Sequence, residues 1–132
     1  MIKRGETFRF IKTHKNMTDV LTDHSLASLG DTYINFAYSL ALSNRRGKPS
    51  AAKVKGSVLA EALKKAKIRE FMPSRMNRHV LADAAEALIV YAWLHNYITL
   101  EENVEILEKA EGFPLLLDNA SEQAKFMYVS PR

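Results

Sequence analysis

The sequence predicts an all-α protein. Apolar residues recur at helical spacing in one segment after another, capping residues stand at the starts of those segments, and no stretch gives a confident strand. The clearest segment is Leu81 to Leu94, where nearly every residue is a good helix former or large and apolar, with no Gly or Pro to break it. A helix of that composition is expected to be buried on most sides.

Residues 1–15 show no sustained period and are expected to form an arm, in which Phe8, Phe10 and Ile11 suit a short extended piece. Thr18 or Asp19 is expected to cap a short helical turn through Leu21, and Asp23 the helix after it. That helix is expected from about His24 to Ser43, with Leu26, Leu29, Tyr33, Ile34, Ala37, Leu40 and Ala41 along its apolar side. Gly30 within it costs about 1 kcal/mol relative to Ala, which points to something approaching the backbone closely. After the turn-rich Asn44 to Pro49, Ser50 is expected to cap a helix over Ala51–Lys67, with Val54, Val58, Leu59, Ala62, Leu63 and Ala66 facing inward. Phe71 to Ser74 reads as a second break, and the central helix starts at Arg75 or Asn77 and runs through His95. Thr99-Leu100-Glu101-Glu102 fits a capping box. The helix it opens is expected to end at Gly112 and Pro114. A last short helix, about Asp118 to Tyr128, is expected to dock through Leu115, Leu116, Leu117, Phe126 and Met127.

At 132 residues, one domain over 1–132 is expected, with a core at about 18–111, the arm at 1–15 and a C-terminal docking segment at 113–132. No window approaches the roughly 18–20 uninterrupted apolar residues of a membrane span. The first residues lack the apolar core of a signal peptide, so a cytoplasmic protein is expected. There is no cysteine, which excludes disulfides, a cysteine zinc site and thiol nucleophiles.

The net charge is +4, but its distribution says more. Between Ser43 and His79 lie Arg45, Arg46, Lys48, Lys53, Lys55, Lys64, Lys65, Lys67, Arg69, Arg75 and Arg78, against only Glu61 and Glu70. From Thr99 onward the balance reverses. A basic middle and an acidic end suit one face for a polyanion and another for solvent. Two ordinary solvated helix surfaces explain the same pattern.

Carboxylates interrupt the two most apolar segments. Asp83 and Glu86, three residues apart, fall on one face of the central helix, and Asp31 sits in the middle of the long helix before it. Carboxylates are seldom left buried unless paired, protonated or bound to a metal. Side by side, the two helices would gather three acids into a cluster suited to Mg²⁺ or Mn²⁺, which take hard oxygen ligands. The alternative is ordinary pairing of Asp83 or Glu86 with Lys53, Lys55 or Arg78.

These residues also carry a family resemblance. Ser25-Leu26-Ala27-Ser28-Leu29-Gly30-Asp31 resembles the signature helix of the ribonuclease III catalytic domain, whose pattern ends in Leu-Gly-Asp. Leu81-Ala82-Asp83-Ala84-Ala85-Glu86-Ala87-Leu88-Ile89 resembles its second motif, an Asp and a Glu three apart followed by Ala-Leu-Ile. The likeness spans roughly Thr18 to Leu107. It implies an all-helical, homodimeric endonuclease that cuts double-stranded RNA with a divalent metal, held by Asp31, Asp83 and Glu86. Larger bacterial members carry a Glu four residues before the first Asp, where this chain has Ala27, and another seven before it, where it has His24. The single-domain Mini-III branch also has Ala before its Leu-Gly-Asp. Ser50-Ala51-Ala52-Lys53 is similar to the Ser-Ala-Lys motif of that branch, with one extra residue. No stretch remains for an appended RNA-binding domain, so grip on the duplex is expected from the catalytic domain. Arg45, Arg46, Lys48, Lys53, Lys55, Arg75, Arg78 and His79 are the candidate contacts to its phosphates. Two rivals stand beside this: a non-catalytic RNA-binding protein of the same fold, and a helical interaction module with structural acids.

Overall fold

The computed structural model describes residues 4–66, 68, 71, 72 and 76–129, apart from the side chains of 125–129. Among these residues the elements are α1 (Arg4–Thr7), α2 (Met17–Leu21), α3 (His24–Arg46), α4 (Gly56–Lys65), α5 (Arg78–Leu94), α6 (Leu100–Leu107) and α7 (Gly112–Val129). No strand occurs among them, so the class is all-α as expected.

Helix α5 is the centre of the structure. Asn77 caps it by accepting the Val80 N–H at 2.9 Å. Eleven of its 17 residues are buried, more than one apolar stripe could use, so neighbours must cover it on several sides. Helices α3 and α4 pack along it, while α2 and α7 close the remaining flanks. Ile34, Leu59, Leu88, Ile89, Leu116 and Leu117 lie in this core; burying each such side chain contributes about 1.5–3 kcal/mol. Tyr91 and Leu94 are buried as well.

Helix α3 begins as expected at Asp23, whose side chain accepts the Leu26 N–H at 3.0 Å. It runs to Arg46 rather than Ser43 and ends on Gly47, whose φ of 70° is the left-handed cap that Gly provides most cheaply. Leu29 and Val58, both expected to face inward, are instead exposed.

The largest departure is at the start of α4. The expected helix over Ala51–Lys67 begins only at Gly56, and Lys55 has extended backbone angles. Residues 50–54 are claimed by side chains of α3. Ser43 Oγ accepts the Ser50 N–H at 2.8 Å, Ser39 Oγ accepts the Ala52 N–H at 3.0 Å, and Asn35 Oδ1 accepts the Val54 N–H at 2.8 Å. Four residues of helix advance about 6.0 Å, and two residues of extended chain about 6.6 Å. The three rungs therefore stay in step, and the alternate residues Ala51, Lys53 and Lys55 are left exposed.

Smaller corrections follow. The cap of α2 is Asn16, which accepts the Asp19 N–H, while the Thr18 hydroxyl donates to the Phe71 carbonyl at 2.7 Å. Gly112 and Pro114 open α7 rather than close α6, which ends at Leu107; a proline in the first turn of a helix gives up an N–H that has no partner there anyway. Leu116 and Leu117 are buried in docking α7, but Leu115 is exposed, and the side chains of Phe126 and Met127 lie outside the described set. The arm is helical over Arg4–Thr7 and docked: Phe8 packs on Trp93, and the Arg4 guanidinium lies 4.4 Å from the centre of the indole. The capping box at Thr99 and Glu102 is formed as expected.

Candidate active site

The acids meet because α3 lacks a side chain at one position. At Gly30 the α3 backbone lies directly on the α5 backbone at Glu86, where a Cβ would collide with the Glu86 carbonyl. Asp31, the next residue, and Glu86 are thereby brought to one place. Asp83, a turn earlier on α5, joins them at the wall of an open cleft of about 420 Å³. The close approach that Gly30 signals is thus between two helices of one chain.

The electrostatics follow from crowding. Burial pushes the Glu86 carboxyl up to about 8; a hydrogen bond with Asp31 and the charges of Asp31 and Asp83 add to the rise, while the Lys53 ammonium opposes it. Neighbouring carboxylates repel, and a proton on Glu86 or a cation offsets that repulsion. Their oxygens are hard donors of the kind Mg²⁺ and Mn²⁺ take, and a cation there would relieve the repulsion at Glu86, so the chemistry of the donor set suits a divalent ion. As they stand, no three His, Asp or Glu side chains among the described residues are drawn together into a cation cage.

The basic candidates divide by position. Lys53 and His79 line the cleft with the acids. Lys55 and Arg78 are exposed close by in the chain. Arg45, Arg46 and Lys48 lie toward the far end of α3; Arg45 is fourteen residues past Asp31, about 21 Å along the helix. There Arg45 also donates to the Leu107 carbonyl at 3.0 Å. Arg75, Lys67 and Arg69 lie outside the described residues.

At the positions where larger family members have acids, Ala27 is a buried methyl at the cleft wall. His24 is largely exposed, with Nδ1 3.6 Å from Asp83 Oδ2. Asp23 takes no part in the cleft. It caps α3 and pairs with His14 at 2.9 Å and Lys12 at 3.6 Å. Its own burial pushes its pKa up, but the hydrogen bonds from His14 and the Leu26 N–H and the nearby Lys12 and His14 charges outweigh it, and the net shift is downward. The sequence assigns no role to Asn35, whose only signal there is an amide one turn beyond an acid in an apolar helix. Its Nδ2 lies 3.4 Å from Asp31 Oδ1.

A family model described as Ribonuclease III matches residues 24–123, a span that includes both acid-bearing helices. No curated protein matches the chain.

Proposed function

Since the chain belongs to the ribonuclease III family, we propose that it is a metal-dependent endoribonuclease that cleaves double-stranded RNA by in-line hydrolysis of phosphodiesters. The observation that carries this is that Asp31, Asp83 and Glu86, from two separate helices, line one open cleft together with Lys53 and His79. Asp31, Asp83 and Glu86 would hold the ion, Mg²⁺ or Mn²⁺. When bound, such an ion supplies Lewis acidity and neutralises charge on the phosphate.

The chain's own groups account for the remaining work. Glu86 can carry a proton near neutral pH, or release it when positive charge enters the cleft. Asp83, half exposed at the mouth, is placed to orient a water. Lys53 and His79 line the same cleft, and there they would contact the phosphate. Arg45, Arg46, Lys48, Lys55 and Arg78 extend positive charge away from it, where the backbone of an A-form helix can be followed without reading its bases, and Arg75 is proposed as a further phosphate contact.

The protein is proposed to act as a homodimer in the cytoplasm. Phe10, Leu29 and Phe36 expose apolar surface beside Trp93, a patch that supports pairing of two copies. No described helix is long and apolar enough to cross a membrane.

One observation favours a second reading, RNA binding without cleavage: the buried Ala27 methyl occupies a wall position where larger family members have a carboxylate. Titrating Mn²⁺ into the protein separates the two. Uptake that Asp31→Asn and Glu86→Gln each abolish supports the enzyme, and duplex binding with no Mn²⁺ uptake supports the binding protein.

A further inference from the structure

Asn35 uses both ends of its amide. Oδ1 accepts the Val54 N–H at 2.8 Å, and Nδ2 donates toward Asp31 Oδ1 at 3.4 Å. The orientation of an amide is assigned from its partners, and here they agree. A backbone N–H can only donate, so the oxygen must face Val54, and the NH₂ is left facing Asp31, whose carboxyl oxygen can accept. The acid of α3 and the segment carrying Lys53 are therefore attached to one planar group.

We propose that Asn35 is a positioning residue that fixes Asp31 and Lys53 relative to each other across the cleft. This rests on the cleft being the active site. One side of the amide holds a carboxylate meant for the cation; the other holds the backbone next to the ammonium meant for the phosphate. Other side chains do this poorly. Aspartate loses the donor and adds like charge, serine reaches neither partner, and glutamine displaces both by a methylene.

The neighbouring rungs supply a control. Ser39 binds the Ala52 N–H and carbonyl at 3.0 and 3.1 Å, so it docks the same segment without touching an acid. If Asn35 merely anchors the segment, losing either rung should have the same consequence. If it also positions Asp31, only Asn35 should matter to the cation.

The test uses the full chain and two probes: Mn²⁺ titrated into metal-free protein with free Mn²⁺ followed by electron paramagnetic resonance, and duplex RNA binding in Ca²⁺. Asn35→Ala should weaken Mn²⁺ binding by about tenfold, the scale seen when the partner of a metal ligand is removed, while Ser39→Ala changes it by less than about twofold. In duplex binding, Asn35→Ala and Lys53→Ala should cost similar factors, and the double variant should be no worse than either alone. Melting curves confirm folding, and Asn35→Ser is read the same way if Asn35→Ala does not fold. Unchanged Mn²⁺ affinity in Asn35→Ala, equal loss in Ser39→Ala, or duplex losses that multiply overturns the role of Asn35 alone. Wild-type protein that takes up no Mn²⁺ overturns the active site as well.

Discussion

Gly30 and Glu86 meet backbone to backbone: a Cβ on Gly30 would lie 2.5 Å from the Glu86 carbonyl carbon and 3.1 Å from its Cα. Atoms of this kind cannot yield as the tip of a flexible side chain can. The contact therefore sets how closely α3 and α5 approach, and with it the distance between their acids.

Gly30→Ala tests that contact. In an exposed helix this change would gain about 1 kcal/mol. Here the collision forces the helices apart at a cost of about 1–3 kcal/mol, so the net effect is a Tm lower by several degrees and weaker Mn²⁺ uptake. Calorimetry and Mn²⁺ titration on the same sample check both. A Tm that rises would mean the helices are free to separate.

Glu86 makes the metal-free protein sensitive to pH. Its folded pKa of about 8 lies above the ordinary 4.5, so between those values the folded state binds the extra proton. The stability this group contributes is complete below about 4.5 and lost as pH rises through 8. The carboxyl is only half-buried, so solvent screens part of the effect. Tm of metal-free protein should fall from pH 5 to pH 8.5, and Glu86→Gln should flatten that slope. Mn²⁺ should raise Tm more at pH 8.5 than at pH 5, where it must displace the proton.

Asp23 should matter to folding and not to the cation. Losing the cap of α3 together with the His14 pair should cost about 1–2 kcal/mol, visible as a lower Tm in Asp23→Ala. Its depressed folded pKa means this stability is present above the ordinary carboxylate range and lost as pH falls through the folded value. Mn²⁺ affinity in Asp23→Ala should match wild type.

The apolar patch should hold two copies together. Phe36 is 55% exposed and Phe10 61%, more apolar surface than either needs to stabilise one chain. Phe36→Glu should convert a dimer to a monomer in light scattering, with Tm little changed. A wild-type chain that is monomeric at every concentration would show that the patch does not pair.

Much of this architecture could be read locally. Asp23, Asn77 and the Thr99–Glu102 box act within one helical turn, and caps behave that way in any context. Asp31, Asp83 and Glu86 stood out because acids interrupt apolar periods, and Gly30 because a helix tolerates it only for a reason. Residues 50–55 misled because the partners of their backbone are Asn35, Ser39 and Ser43, far enough back in the chain that no local pattern couples them. Ala51 and Ala52 favour helix by propensity, and tertiary hydrogen bonds overrode it. Pro114 misled for another reason, since a proline just past one helix and a proline in the first turn of the next look alike in sequence. Asn35 could not be understood until Val54 was seen opposite it.

Cleavage of a perfect duplex RNA is the decisive measurement, run with Mg²⁺ and with Mn²⁺ for wild type, Asp83→Ala and Glu86→Ala. Internal cutting by wild type, dependent on the metal and absent from both folded variants, is the expected result. Duplex RNA that is bound but left intact in either metal, or cut equally well by Asp83→Ala, would contradict the assignment of this cleft as a nuclease site.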